Sequence, residues 1–198
     1  MKKIKPTLVL FLICVIATGA LAYFNSITKD IIAEQAVRTE QEALQAVMPG
    51  AVTTALSEDE VNAVISQLTL DDENIQAIYR AEVNGTFAGY IFNTTAKGYG
   101  GVITVITGID ANGAITGTKV IDHSETAGLG AKSAVNGEGA WINQYFGKTA
   151  GNLSVVKSAA AGDNEIIAIT SATRTSRAVT RAVNIAGKAF ELLMKGGN

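Results

Sequence analysis

The amino-acid sequence predicts an α+β protein: a single N-terminal transmembrane helix followed by a domain of antiparallel hairpins with packed helices. Three features predict this class: an uncharged apolar run at residues 7–28, two pairs of strand-like segments joined by tight turns, and a helical segment near the C-terminus. The chain has 198 residues, 47% apolar and 17% charged, which is enough to bury one ordinary core after the anchor.

The apolar run at residues 7–28 is long enough to cross a membrane as a helix. At ~1.5 Å per residue its 22 residues match a hydrocarbon core of roughly 30 Å. Lys2, Lys3 and Lys5 precede the run, whereas Lys29 alone follows it closely. The excess of positive charge before the run predicts a single-pass membrane protein in contact with lipid, with a cytoplasmic N-terminus and an extracytoplasmic domain.

A cleaved signal peptide is the alternative for this segment. A basic start, an apolar stretch and small residues such as Ala17 and Ala20 are typical of one. The apolar run continues through Tyr23 and Phe24, however, which makes it longer than a typical signal core and favours an anchor.

The next predicted region, residues 29–70, is a helical stalk and linker. Apolar residues recur at helical spacing up to Met48, where Pro49 and Gly50 end the pattern. Ser57 and Glu60 have the spacing of a capping box, which predicts a second, short helix. We therefore divide the chain into an anchor at residues 1–28, a stalk at 29–70 and a folded domain at 71–198.

The folded domain contains two predicted β-hairpins. The strands of the first, residues 75–83 and 87–92, flank Asn84-Gly85, and those of the second, residues 102–109 and 114–121, flank the sequence DANG. A short helix carrying Trp141 and Phe146, a strand at 165–169 and a helix from Thr175 to about residue 194 complete the predicted elements.

Composition excludes several kinds of site. Cys14 and His123 are the only cysteine and histidine, so a Cys/His metal site, an iron-sulfur cluster or a cysteine nucleophile cannot be assembled. The net charge of -2 provides no general attraction to nucleic acid. His123 has Asp122 and Ser124 as neighbours, but adjacent residues of an extended chain point to opposite faces and cannot form a hydrolase triad. We predict no metal site and no catalytic residue.

Three motifs remain. Residues 98–101 have the sequence GYGG, residues 123–132 have HSETAGLGAK, and residues 170–177 have TSATRTSR. Together with the N-terminal apolar run, they resemble the FMN-binding G subunit of Rnf, a membrane complex that moves electrons from ferredoxin to NAD. They also resemble the C subunit of the sodium-translocating NADH:quinone reductase. The resemblance covers nearly the whole chain.

The resemblance implies FMN attached through its phosphate to Thr173 by a flavin transferase. A phosphate suits this place, because the start of the predicted helix offers unpaired N–H groups and the positive end of the helix dipole. Arg174 or Arg177 could add a charge-assisted contact, although a solvated face that also includes Arg181 is the alternative. The implied cofactor-binding residues are Thr173, Thr170, Ser171, Ala172, Thr175, Glu125, Thr126, Leu129, Gly130, Lys132, Gly100 and Gly101.

In this interpretation Glu125 and Thr126 bind polar edges of the flavin ring, Leu129 covers its apolar face and the glycines permit close approach. Two structural alternatives stay open: a helix cap formed by Thr173 or Thr175, and a glycine turn after a strand. The sequence departs from the family's pattern at three positions: Ile167 stands for an aspartate, Ser171 for a glycine and Ala127 for a proline.

The function that the resemblance implies is electron transfer. The chain would relay electrons through covalently bound FMN within a membrane-bound, ion-translocating Rnf-type ferredoxin:NAD oxidoreductase complex, without a substrate of its own. Its partners would be the other subunits of the complex. The alternative is a membrane-anchored interaction or scaffold domain without covalent flavin, which the replacement of the aspartate by Ile167 favours.

Overall fold

A computed structural model describes residues 4–158 and 162–196. Contacts within the chain divide it into two compact units, Met1–Thr39 and Glu40–Asn198. The second unit begins inside the region that the sequence analysis assigns to the stalk, and it includes the whole of the predicted folded domain. Each unit is described by itself.

The first unit is helical. Helix α1 (Ile4–Val47) runs without interruption through the predicted anchor and on through the apolar repeat of the predicted stalk. Side chains from Pro6 to Arg38 are all exposed, including the apolar residues of the anchor. In the part of the chain that the structure describes, α1 is the one helix long and apolar enough to cross a membrane, by length and composition. Lys2 and Lys3, on which the predicted orientation depends, lie outside the described residues.

The second unit is built on a five-stranded antiparallel sheet with strand order β1-β2-β3-β4-β5. The strands are β1 (Val52–Ala55), β2 (Glu73–Val83), β3 (Thr86–Lys97), β4 (Val102–Asp110) and β5 (Ile115–Asp122). Both predicted hairpins are present, and the α+β class is confirmed. Strand β1 is missing from the sequence prediction because its four residues, VTTA, carry too little apolar pattern to stand out.

Local chemistry explains the turns and the short helix. Asn84 and Gly85 have φ values of 53° and 75°, the left-handed conformations that a tight hairpin turn requires. Helix α2 (Glu58–Ile65) begins with the predicted capping box. The Ser57 N–H donates to Glu60 Oε2 at 2.8 Å, and the Glu60 N–H donates to Ser57 Oγ at 3.4 Å.

The core lies on both faces of the sheet. Helix α3 (Thr173–Gly196) covers one face, where Val179, Val183 and Ala186 are fully buried in the same cluster as Phe92 and Val105. On the other face the end of α1 packs against β3 and β4 through a second cluster that contains Ala43, Leu44, Val47, Ile91 and Ile106. The two central strands are therefore buried on both sides, which is why β4 has an almost continuous apolar sequence.

Glu40 begins this second unit and is bound to the sheet. Its Oε1 accepts hydrogen bonds from the Tyr79 hydroxyl at 2.9 Å and from Asn93 Nδ2 at 2.7 Å. Burial and the neighbouring Glu40 carboxylate raise the pKa of Tyr79 well above its ordinary value, so this hydroxyl remains a donor. The contact attaches the last turns of α1 to β2 and β3.

The remaining elements lie between β5 and α3. Two 3₁₀ helices, Gly130–Ala134 and Trp141–Tyr145, are followed by the parallel strands β6 (Ser154–Val156) and β7 (Glu165–Ile167). The second 3₁₀ helix is the short helix predicted around Trp141. Phe146, however, lies just beyond it with 70% exposure, and Tyr145 is the aromatic residue that is fully buried. Strand β7 ends two residues earlier than predicted, and α3 begins two residues earlier.

Candidate functional site

The antiparallel sheet brings two of the sequence motifs together. Residues 98–101 form the turn between β3 and β4, closed by a hydrogen bond from the Gly98 N–H to the Gly101 carbonyl at 2.7 Å. The segment from His123 onward leaves the end of β5 at the same edge, because Thr104 of β4 pairs with Asp122 of β5. Neighbouring antiparallel strands therefore place residues more than 20 positions apart in one corner of the sheet.

The start of α3 completes this corner. Arg174 Nε donates to the Gly98 carbonyl at 3.1 Å, and Arg181 donates to the Lys97 carbonyl at 3.1 Å. Arg181 also forms an ion pair with Glu73 at 2.6 Å. These contacts attach the first turns of α3 to the β3–β4 turn, so all three motif segments meet.

A cavity of about 350 Å³ lies where they meet, here called the α3 pocket. Its size is in the range of ordinary cofactor sites. Its lining consists of Tyr99, Glu125, Thr126, Leu129, Gly130, Ser171, Ala172, Arg174 and Thr175. Seven of the twelve predicted site residues are among them.

The other five predicted residues lie around the pocket without lining it. Thr173 is the first residue of α3 and is half-buried, and Thr170 is exposed just before it. Gly100 and Gly101 belong to the β3–β4 turn. Lys132 is exposed on the first 3₁₀ helix, and its backbone N–H donates to the Leu129 carbonyl at 3.1 Å.

Glu125 is the most strongly bound side chain of the pocket. It is 9% exposed, and its Oε1 accepts hydrogen bonds from the backbone N–H groups of Tyr99 at 2.7 Å and Gly100 at 3.0 Å. Its Oε2 accepts a hydrogen bond from the Thr175 hydroxyl at 2.7 Å. Burial alone would raise the pKa of this carboxyl, but the hydrogen bonds, together with His123, outweigh burial and lower it. The carboxylate is therefore charged at neutral pH.

The first turn of α3 leaves donors free. In residues 4–158 and 162–196, the backbone N–H groups of Thr173, Arg174 and Thr175 donate to no protein acceptor. Neither threonine caps the helix: the Thr175 hydroxyl binds Glu125, and the Thr173 hydroxyl has no hydrogen bond to any residue that the structure describes. Ser176 stabilises the turn instead, since its hydroxyl accepts from the Ile169 N–H and donates to the Ala172 carbonyl. Three free N–H groups beside Arg174 form a set of donors suited to a phosphate.

The two threonines of this turn differ in accessibility. Thr175 is 1% exposed and its hydroxyl is engaged, whereas Thr173 is half-buried with a free hydroxyl. Ser171, in front of them, has a φ of 64°, a left-handed conformation that favours glycine. This value explains why the resemblance places a glycine at that position.

Two parts of the chain match known protein families. Residues 98–188 match the family of the FMN-binding domain, and residues 1–47 match the family of the RnfG N-terminal region. The G subunit of the Na(+)-translocating ferredoxin:NAD(+) oxidoreductase complex of Acetobacterium woodii is 39% identical over 196 residues, which cover 96% of this chain and 93% of that relative. The chain belongs to the RnfG family, the G subunits of ion-translocating oxidoreductase complexes.

Other relatives are also G subunits of ion-translocating oxidoreductase complexes. The G subunit of the ion-translocating oxidoreductase complex of Aliivibrio fischeri is 32% identical, over 90% of this chain and 86% of the relative. That of Photorhabdus laumondii is 34% identical over 85% and 80%. A crystal structure of NqrC from Shewanella oneidensis aligns with a TM-score of 0.49 at 20% identity, over 60% of this chain and 61% of that one. The predicted resemblance is confirmed, and the domain match supports FMN as the cofactor.

Two lining residues of this RnfG-family chain were absent from the predicted site. Tyr99 lies within the GYGG motif and is 71% exposed, and Arg174 lies between Thr173 and Thr175. The sequence predicts Arg174 only as one of two arginines that could contact a phosphate. The sequence position is a sufficient signal for both residues: Arg174 lies between two residues assigned to the site, and Tyr99 directly precedes one, Gly100.

Ile167, where the family's pattern has an aspartate, is bound through its backbone. Its N–H donates to Gln144 Oε1 at 2.9 Å, and its carbonyl accepts from Trp141 Nε1 at 2.6 Å and Gln144 Nε2 at 3.3 Å. The second 3₁₀ helix therefore positions the end of β7, six residues before Thr173. No sequence pattern pointed to this role of Trp141 and Gln144.

Proposed function

We propose that the chain is the electron-transfer subunit of a membrane-bound, ion-translocating ferredoxin:NAD oxidoreductase complex and carries FMN covalently on Thr173. The observation that supports it most directly is the meeting of three separate motif segments around the α3 pocket, next to three free N–H groups and Arg174. The name of the Acetobacterium woodii relative supplies the type of complex. Other subunits of that complex are the partners, and they supply the electron donor and acceptor.

FMN supplies the electron transfer, while the protein binds and orients it. The Arg174 guanidinium and the N–H groups of the first turn of α3 would bind the phosphate. Leu129 and Tyr99 offer apolar surface to the ring, and Thr126 offers a polar group at the rim. The volume of the α3 pocket and its donors both fit the cofactor: the start of α3 would hold the phosphate, and the loop of residues 123–132 would hold the ring.

Thr173 fits the role of attachment residue better than Thr175, because only its hydroxyl is free and partly accessible. The Thr173 oxygen forms an ester with the FMN phosphorus and loses its proton. Free phosphate is a poor electrophile in water, so the reaction requires an activated phosphoanhydride of FMN. Its anhydride bond breaks as the ester forms, and the second phosphate group leaves with the proton from Thr173. A flavin transferase would provide this reaction, and the covalent bond would retain the cofactor outside the cytoplasm.

The proposal is tested on the full chain, produced together with a flavin transferase. Thr173→Ala should abolish flavin fluorescence in a denaturing gel and the mass increase of the FMN ester. Thr173→Ser, which keeps a hydroxyl, should retain labelling. Thr175→Ala should remove the hydrogen bond to Glu125 and retain the covalent flavin. Full fluorescence in Thr173→Ala would refute the assignment, and loss in Thr175→Ala alone would move it by two residues.

The alternative, a scaffold domain without covalent flavin, is favoured by Ile167 at the aspartate position. The same experiment decides it, because the parent chain would then show no fluorescence in the gel. Substitution of Ile167 by aspartate in that unlabelled chain should restore labelling if the lost carboxylate is the cause.

The proposed location is the bacterial cytoplasmic membrane, with the second unit outside the cytoplasm and α1 in contact with lipid. The basic residues before the apolar run support this orientation. Protease added to spheroplasts should digest the second unit without lysis. Protection until lysis would reverse the orientation, and a mature chain that begins near residue 21 would indicate a signal peptide.

A further inference from the structure

We propose that Glu125 is the positioning residue of the α3 pocket: its carboxylate holds the β3–β4 turn and the first turn of α3 in one arrangement, and it does so without serving as a ligand of the flavin ring. The inference rests on the proposed function for the identity of the ligand, but the contacts that carry it belong to the protein alone.

The first argument is the number and origin of the donors. The carboxylate accepts from Tyr99 and Gly100, which precede it by 26 and 25 positions, and from Thr175, which follows it by 50. The β3–β4 turn and the first turn of α3 therefore both bind this side chain, which belongs to the third segment of the pocket, residues 123–132. Nothing else in the described contacts joins all three segments at a single group, since Arg174 reaches only the Gly98 carbonyl.

The second argument is the capacity of the carboxylate. Oε1 already accepts two hydrogen bonds and Oε2 accepts one, and the side chain is 9% exposed. A carboxylate with this many protein donors has little capacity left for a ring N–H. The resemblance implies that Glu125 binds the flavin ring, whereas its engaged oxygens indicate a role in shaping the pocket.

The third argument comes from two glycines. A Cβ on Gly130 would lie 2.5 Å from Glu125 Oε2 and 2.7 Å from Thr175 Oγ1. A Cβ on Gly98 would collide with Glu125 Oε1 and lie 2.6 Å from Ile103 Cδ1. These glycines leave the space that the carboxylate occupies. Gly98 belongs to the motif at residues 98–101 and Gly130 to the motif at residues 123–132. Both motifs therefore contain a glycine that makes room for the Glu125 carboxylate.

The test compares three substitutions of Glu125 in the full chain, purified in detergent without flavin. Glu125→Gln keeps the shape: its amide oxygen accepts from Tyr99 and Gly100, and its NH₂ donates to the Thr175 hydroxyl, which can accept as well as donate. Glu125→Ala removes every bond, and Glu125→Asp is too short to reach both walls. Asp122→Asn, an exposed acid three residues away, is the matched control.

Hydrogen exchange gives the first readout and needs no cofactor. In Glu125→Ala and Glu125→Asp the amides of Tyr99 and Gly100 should exchange about tenfold faster or more, because each loses a hydrogen bond to a charged acceptor. Glu125→Gln and Asp122→Asn should stay within about threefold of the parent chain. Unchanged exchange of Val105 and Ile106 in β4 shows that the sheet is still folded.

FMN affinity, measured by quenching of flavin fluorescence, gives the second readout. It should fall about tenfold or more in Glu125→Ala and recover in Glu125→Gln. If Glu125→Ala does not fold, Thr175→Val takes its place: affinity should fall while the Tyr99 amide stays protected.

The inference is overturned if the amides of Tyr99 and Gly100 exchange in Glu125→Ala as they do in the parent chain. It is also overturned if Glu125→Gln behaves like Glu125→Ala in both readouts, because the charge of Glu125 would then matter and the arrangement of its hydrogen bonds would not. A parent chain that binds no FMN refutes the proposed function, while the exchange data still decide the role of Glu125.

Discussion

Two cavities of the second unit have similar size and different chemistry. The α3 pocket is about 350 Å³, and a cavity beside β5, here called the β5 cavity, is about 400 Å³. The β5 cavity is lined by Ala46, Val47, Thr116, Gly117, Thr118, Lys119, Asn136, Ile142, Asn143 and Phe146. Volume alone would favour the β5 cavity.

The difference lies in how polar groups converge. The α3 pocket contains a charged carboxylate with three donors, an arginine at its rim and free N–H groups beside it. The ionisable side chain of the β5 cavity is Lys119. Thr118 Oγ1, on the cavity wall, is buried and has no hydrogen bond to any residue that the structure describes. Polar and charged groups that distant segments bring together, although their burial costs solvation energy, therefore distinguish a candidate binding site better than its volume does.

The largest effect on FMN affinity is expected from a substitution that fills the α3 pocket. Gly130→Ala places a methyl group 2.5 Å from Glu125 Oε2 and 2.7 Å from Thr175 Oγ1. Such overpacking typically costs about 1–3 kcal/mol, so FMN affinity should fall about tenfold or more in a fluorescence-quenching titration. Gly128→Ala is the control in the same loop: its Cβ meets nothing within 4 Å, and it tests only the strain of a φ of 74°. Equal affinity in Gly130→Ala and the parent chain would contradict the assignment of the pocket.

A smaller effect should follow from removing the rim charge. Arg174→Gln leaves a polar side chain but no cation, and because the arginine is exposed we expect a loss of FMN affinity of up to about tenfold. The loss should shrink as the salt concentration rises, since an exposed charge is screened. Arg177→Gln, also exposed and not part of the pocket lining, serves as the control. If both variants lose the same amount, the helix contributes a general positive field and no specific phosphate contact.

The smallest effect is expected in the β5 cavity. Phe146 is 70% exposed, so Phe146→Ala should change stability by no more than about 0.5 kcal/mol and leave FMN affinity unchanged. Thermal unfolding and the same quenching titration measure both quantities. A clear loss of FMN affinity would show that the β5 cavity takes part in binding and would remove the distinction between the two cavities.

The sequence by itself determined the class and most of the elements. The apolar run, the capping box at Ser57 and the turn at Asn84-Gly85 each depend on neighbouring residues, so they are visible in sequence and are present in the structure. The family resemblance is confirmed by the relatives, and the three motif segments on which it rests meet around the α3 pocket. The short strands β1 and β6 escaped prediction because pairing partners, more than their own residues, make them strands.

Only the tertiary structure shows which side chains of the three motif segments are bound within the protein. Both threonines carry a hydroxyl at the start of α3. Packing against Glu125 buries the Thr175 hydroxyl, whereas the Thr173 hydroxyl has no hydrogen bond within the described residues. Glu125 itself could have faced a ligand or the protein, and the β3–β4 turn, 25 positions earlier, supplies the donors that hold it inward. Local patterns record which conformation a segment prefers. They do not record which distant N–H or hydroxyl meets a given carboxylate, because that depends on how the sheet and α3 pack.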